Sequence, residues 1–267
     1  MSEYILETTG LTKRFSGLVA LNHLDLQVKT GSIHAIIGPN GSGKTTFFNV
    51  ITGLYKPDEG EAVFNGKDIT GLKPHQIGRS GIGRTFQTLC LFREMTALDN
   101  VLVGSQCQSR YPVLKDMVYG KARTKQEEER VKKACECLEF VGLLDIKDEL
   151  ACNLPYGKQR LLEIARAMAM DPKIILLDEP AAGMNPSESL ELVNKVKAIR
   201  DSFGMSVLII EHNMKLVMSL ADTITCLDYG TKIAEGRPEE VAENRQVVEA
   251  YLGKVGEDAT NSVIGRP

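Results

Sequence analysis

No apolar run in the 267 residues approaches the roughly 18 that a membrane-spanning helix requires, so the chain by itself is expected to be soluble. A basic excess is missing too. The 32 Lys and Arg stand against 35 Asp and Glu, a net charge of −3, which excludes the electrostatic footprint of a nucleic-acid surface and predicts no nucleic-acid partner. Any affinity for phosphate must therefore be local. The six cysteines, Cys90, Cys107, Cys135, Cys137, Cys152 and Cys226, form no CxxC pair and no zinc spacing. Several lie in apolar runs, where a thiol acts as a small core residue, and reduced thiols fit the cytoplasm. The opening Met1-Ser2-Glu3-Tyr4 lacks the basic start and apolar core of a signal peptide, and no internal repeat or low-complexity tract is evident. What is present is 43% apolar content, ample for a buried core in one large domain or two small ones.

The most informative string is Gly38-Pro39-Asn40-Gly41-Ser42-Gly43-Lys44-Thr45, a complete G-x-x-x-x-G-K-[ST] phosphate-binding pattern. Its flanks suit it. The apolar run Ile33 to Ile37 leads in as a buried strand, and Thr46 to Ile51 leads out as a helix ending near Gly53. Glycines let the loop backbone turn successive N–H groups toward phosphate oxygens at a helix N-terminus. Lys44 is then expected to reach the β- and γ-phosphates of ATP, the Thr45 hydroxyl to hold Mg²⁺, and Thr46 to bond the α-phosphate.

A second piece lies far along the chain. Ile174-Ile175-Leu176-Leu177 reads as a strand buried on both faces and ends in Asp178-Glu179. Strand-end placement aims both acids at one nucleotide: Asp178 for Mg²⁺, through water, and Glu179 to polarise the water that attacks the γ-phosphate. Val207 to Ile210 reads as another such strand, separated from the first by a helix over 187–203. Near the N-terminus, Ile5 to Val28 and Glu61-Ala62-Val63-Phe64, the latter closing on an Asn65-Gly66 turn, predict an antiparallel β layer. From about 88 to 153 the pattern turns helical, with Val131, Ala134, Cys135, Leu138 and Val141 on one face and a solvated charged approach over 125–130.

Between the phosphate loop and the acidic strand stands Leu154-Pro155-Tyr156-Gly157-Lys158-Gln159-Arg160, followed by an amphipathic helix. It resembles the signature motif of ABC-transporter ATPases, which typically reads Leu-Ser-Gly-Gly-Gln. Gln87 in Arg84-Thr85-Phe86-Gln87 resembles that family's Q-loop glutamine, His212 its switch histidine, and Phe15 the aromatic that stacks on adenine. Within the family, Glu179-Pro180-Ala181-Ala182-Gly183-Met184-Asn185-Pro186, Ile210 to Met218 and Ala250-Tyr251-Leu252-Gly253 are similar to the branched-chain amino acid uptake ATPases. Two positions depart from the broad pattern. Pro155 stands where the signature serine usually is and is expected in the first turn of the helix, and Asn185 stands where the D-loop usually has aspartate.

The resemblance covers about residues 4 to 253 and implies an α/β fold: a P-loop NTPase core with an antiparallel β layer and an inserted α-helical subdomain over 88–153, followed by a mobile tail over 254–267. It also implies an ATPase with ATP and Mg²⁺. Glu179, His212 and Gln87 would carry catalysis, and Thr45, Gln87 and Asp178 the metal. Phe15, the loop from Gly38 through Pro39, Asn40, Gly41, Ser42, Gly43, Lys44 and Thr45 to Thr46, and the signature residues Tyr156, Gly157 and Lys158 would hold nucleotide. The implied partners are a second ABC ATPase subunit, identical or homologous, integral permease subunits and, indirectly, a substrate-binding protein. The implied place is the cytoplasmic face of the membrane, with uptake of branched-chain amino acids or related small polar solutes as the task. The alternative is a soluble ABC ATPase that remodels nucleic-acid or protein complexes.

Overall fold

The computed structural model describes residues 3–106 and 120–252. The expected tail over 254–267 and the part of the helical insertion over 107–119 lie outside them. Two sheets organise the described chain. The first is antiparallel, in the order β2-β1-β4-β5, from β1 (Tyr4–Phe15), β2 (Leu18–Lys29), β4 (Glu59–Phe64) and β5 (Lys67–Asp68). Ser16 and Gly17, both at positive φ (41° and 96°), make the tight turn that puts Phe15 opposite Leu18.

The second sheet runs β10-β9-β3-β8-β7-β6 and is parallel except for β10. Its members are β3 (Ile33–Ile37), β6 (Ile82–Arg84), β7 (Ile174–Asp178), β8 (Ser206–Ile210), β9 (Thr223–Asp228) and β10 (Thr231–Gly236). All five residues of β3, β7 and β8 are buried. Continuous burial follows from cover on both faces, and the side chains divide by parity. Ile33, Ala35, Ile37, Ile175, Leu177, Val207 and Ile209 enter one core with the later helices. Ile36, Ile174, Leu176, Leu208 and Ile210 enter another, with Phe47 and Phe48 of α1 (Lys44–Ile51) and the antiparallel layer. Burial of the Phe47 or Leu176 side chain is worth about 1.5–3 kcal/mol, and each bridges two elements.

The helices after β4 are α2 (Pro74–Ser80), α3 (Ala97–Ser105), α4 (Gly120–Val141), α5 (Tyr156–Met168), α6 (Pro186–Phe203), α7 (Met214–Leu220), α8 (Pro238–Ala242) and α9 (Arg245–Leu252). α3, α4 and α5 pack on one another, so the helical unit takes in α5 as well as the 88–153 segment. Pro155 stands one residue outside α5 rather than in its first turn: its ψ of 151° is extended, and its carbonyl accepts the first helical bond from Gln159 N–H at 3.0 Å. Asn185 has a local task. Its Oδ1 accepts from Glu188 N–H at 3.0 Å while Glu188 returns a carboxylate oxygen to Asn185 N–H at 2.9 Å, a reciprocal cap on α6.

The topology gathers the loops after β3, β7 and β8 at the carboxyl ends of neighbouring parallel strands. In open α/β sheets that edge is where ligands bind.

Candidate active site

β3 delivers the chain to the phosphate loop at Gly38, and α1 leaves it at Lys44. Two glycines there are obligatory. A Cβ on Gly38 would stand 2.1 Å from the Leu227 carbonyl oxygen, and one on Gly43, at φ 103°, 2.5 Å from the Ala20 carbonyl oxygen. The loop is thus wedged between β9 and β2. Lys44 Nζ lies inside it, donating to the carbonyls of Gly38 and Pro39 at 2.8 Å each and to Ser42 Oγ at 3.3 Å. Burial pulls the Lys44 ammonium below its ordinary value, against the charges of Glu179 and Asp178 nearby. An anion would offer it a better partner than carbonyl dipoles.

The loop forms one wall of a cleft of about 380 Å³. Of the residues expected to meet nucleotide, Phe15, Asn40, Gly41, Ser42, Gly43, Lys44, Thr45 and Thr46 line it, and so do Gln87, Glu179 and His212. Gly38 and Pro39 support the loop from behind, and the Gly38 N–H is occupied by Tyr251 Oη at 2.8 Å. Phe15 is 37% exposed, its ring set edge-on to Tyr55 with centroids 5.1 Å apart. A face of an aromatic ring at a cleft mouth suits a flat heterocycle.

Opposite the loop the three expected hydrolysis residues clasp one another. Gln87 Nε2 donates to one oxygen of Glu179 at 3.0 Å, and His212 Nε2 lies 2.9 Å from the other. They come from separate elements: the segment after β6, the end of β7 and the segment after β8. Glu179 itself has φ 49°, left-handed for a residue with a Cβ, a conformation that costs on the order of 1–3 kcal/mol and survives only where surroundings fix it.

Asp178 is placed differently. It is 1% exposed, and Arg84 donates to its Oδ2 at 3.0 Å. Burial pushes its carboxyl up and the guanidinium opposes that. Arg84 also reaches Asn49 Oδ1 and Thr52 Oγ1 on and after α1, at 2.9 and 2.8 Å, so one side chain ties β6, β7 and α1 together. The other oxygen, Oδ1, is buried with no hydrogen-bond partner among the described residues. An orphaned carboxylate oxygen beside a phosphate loop fits a hydrated divalent cation, with the Thr45 hydroxyl as the second donor.

The signature residues lie elsewhere. Tyr156, Gly157 and Lys158 open α5 and do not line this cleft. The Tyr156 hydroxyl accepts from Arg160, and a Cβ on Gly157 would stand 2.8 Å from a Glu188 carboxylate oxygen. Arg160, 4% exposed, donates to the carbonyls of Phe86 and Gln87, at 2.9 and 2.5 Å, and Glu163 accepts from Cys90 N–H at 2.8 Å. The loop bearing Gln87 is therefore fastened to the helix that bears the signature. Sequence reasoning missed Arg84, Arg160, Glu163 and Tyr251, each of which has a partner between 73 and 213 residues away.

A phosphate loop on a parallel sheet, with a strand-end acid pair and a separate helical unit, defines a nucleotide-binding cassette. The chain belongs to the ABC transporter family. The family's sequence profile, described as ABC transporter, matches residues 21–182, and a second, described as branched-chain amino acid ATP-binding cassette transporter, matches residues 231–257. The chain is 44% identical over 254 residues to the high-affinity branched-chain amino acid transport ATP-binding protein BraF of Pseudomonas aeruginosa, covering 95% of this chain and 100% of that one. Its fold is similar to a crystal structure of an ABC transporter's ATP-binding cassette in the ADP conformation, with TM-score 0.83 and 39% identity, covering 95% of this chain and 100% of that one. It is also similar, at TM-score 0.73 and 28% identity, to a dimeric post-hydrolysis cassette bound to ADP and Pi, covering 87% and 98% of the two chains.

Proposed function

We propose that this chain is the ATP-hydrolysing subunit of a membrane importer that takes up branched-chain amino acids or related small polar solutes. The observation that carries the reading is the clasp of Gln87, Glu179 and His212 across a cleft from Lys44, all on the loops of one sheet edge. The phosphate loop supplies amides and one ammonium to the phosphates. Lys44 exchanges the carbonyls of Gly38 and Pro39 for phosphate oxygens, and Phe15 backs the base. Glu179, freed from Gln87 and His212, accepts a proton from the attacking water, while His212 donates to a γ-phosphate oxygen on which charge develops. Mg²⁺, when bound by Thr45, Asp178 and Gln87, neutralises phosphate charge.

The signature on α5 lies outside this cleft, so we infer a head-to-tail pair of cassettes in which Tyr156, Gly157 and Lys158 of one subunit close the nucleotide of the other. ATP draws the pair together only through its greater affinity for the closed arrangement. Among the described residues no helix is long and apolar enough to cross a membrane, and the motion would pass to separate permease subunits through the helical unit. The substrate class rests on the profile over 231–257 and on BraF-like relatives. The test is to isolate the chain from its own membranes, identify the copurifying proteins by mass and measure leucine-stimulated ATP hydrolysis in the reconstituted assembly. Membrane permeases and stimulation are expected. Copurification with nucleic acid, and stimulation by it instead, would reverse the reading.

A further inference from the structure

One buried carboxylate near the cleft has no part in the chemistry described so far. Glu211 opens the segment after β8, is 4% exposed, and among the described residues takes two backbone amides as partners and no cation. Its Oε1 accepts from Ala181 N–H at 2.8 Å and its Oε2 from His212 N–H at 3.1 Å. Ala181 lies two residues beyond Glu179, in the loop that continues to Asn185, and His212 bears the ring that meets Glu179 at 2.9 Å. A buried ionised group without a counter-charge is expensive, and removing it from a fold is often neutral or favourable unless it fixes something.

We infer that Glu211 is a positioning residue for hydrolysis, a single carboxylate that sets the backbone carrying Glu179 against the backbone carrying His212. The left-handed φ of Glu179 makes such a brace necessary. That residue is held on one side by its own N–H on the Ile210 carbonyl at 2.9 Å, and just beyond it the chain is held by Ala181 on Glu211. Both anchors belong to the Ile210-Glu211 step, so the two loops share one support. A carboxylate suits the place because it offers two acceptors and no donor, whereas glutamine would turn an NH₂ toward one of the amides and release that loop. The inference rests on Glu179 and His212 being the hydrolytic pair.

The test uses the full chain, with equilibrium binding of labelled ATP and single-turnover hydrolysis measured side by side on wild type, Glu211→Gln, His212→Ala and the double variant. Glu211→Gln is expected to bind ATP within about twofold of wild type and to hydrolyse it about 10–100-fold more slowly, the scale of a small misplacement of reacting groups. Because Glu211 fixes Glu179 and His212 relative to each other, the losses from Glu211→Gln and His212→Ala should combine to less than their product. Glu211→Ala, with room for water at both amides, should repeat the pattern and serves if the glutamine form folds poorly. Wild-type hydrolysis by both Glu211 variants, loss of ATP binding together with hydrolysis in both, or multiplied losses in the double variant would overturn the inference. A His212→Ala chain that hydrolyses at the wild-type rate would instead remove the pair on which it rests.

Discussion

Asp178 and Glu179 are adjacent carboxylates in opposite surroundings, and the difference favours a separate task for each. Asp178 is sealed under Arg84 with one oxygen left over, which suits the proposed role of supporting a cation's water. Glu179 reaches the cleft on a left-handed residue with the Gln87 and His212 side chains as partners, which suits the proton-acceptor role proposed for it. The Lys44 donors hold the loop in shape and, on the proposed function, would exchange the carbonyls of Gly38 and Pro39 for phosphate. Lys44→Ala should therefore lower ATP affinity about tenfold or more, at roughly 1.5–3 kcal/mol for hydrogen bonds to a charged group. Equilibrium nucleotide binding checks it, and unchanged affinity would remove Lys44 from the cradle. Arg84→Ala should act on the fold. It leaves the buried Asp178 charge unpaired, at about 3–5 kcal/mol, and the unfolding midpoint in urea should fall accordingly.

At the scale of elements, β3 carries a pH dependence into the central sheet. His34 is 1% exposed, bonded through Nε2 to Thr225 Oγ1 on β9 at 2.8 Å, and burial pulls its pKa from 6.5 down to about 4. The unfolded chain takes up this proton near pH 6.5 and the folded chain only near 4, so stability is retained above 6.5 and lost as the pH falls between the two values. By pH 5 the loss is about 2 kcal/mol, at 1.4 kcal/mol per pKa unit. Urea unfolding of wild type and His34→Gln between pH 7.5 and 5 reads it: the variant should lose less stability than wild type, and parallel losses would exclude His34. The opening of α5 carries a different prediction. A methyl on Gly157 meets the end of the Glu188 side chain, which also caps α6, and it crowds the surface offered to the second subunit. Gly157→Ala should leave single-chain ATP affinity intact and weaken ATP-driven association, as sedimentation would show. Wild-type association would place the signature elsewhere.

Elements with local signals were legible in the sequence. The phosphate loop, β7, β8, the antiparallel layer and the helix over 187–203 stand where spacing and apolar runs put them, because strand, loop and cap each depend on neighbours within a few residues. α1 begins at Lys44, two residues earlier than its apolar run suggested, since the loop's own glycine conformation starts the helix. What stayed hidden depends on contacts across the fold. The order of the parallel sheet, the Arg84 to Asp178 pair and the Tyr251 hydroxyl on Gly38 join residues 94 and 213 positions apart in the latter two cases. Glu211 lay in a string read only for its likeness, because a carboxylate that serves backbone amides leaves no mark in side-chain pattern.

For the whole molecule, the α5 opening at Tyr156 and Gly157 lies outside the cleft lined by Lys44 and Glu179, and the proposed function makes it the half-site that a second subunit's nucleotide would meet. Within the subunit Arg160, on α5, holds the carbonyl of Gln87 and so joins the helix to the cleft's Gln87 loop. The most direct measurement is the association state of Glu179→Gln with ATP, followed by sedimentation velocity alongside wild type. With water activation lost, hydrolysis should fall about 10²–10⁴-fold while binding persists, so the variant should accumulate as an ATP-loaded dimer that ADP does not support. A variant that binds ATP with wild-type affinity yet remains monomeric, or one that hydrolyses ATP at the wild-type single-turnover rate, would contradict the account.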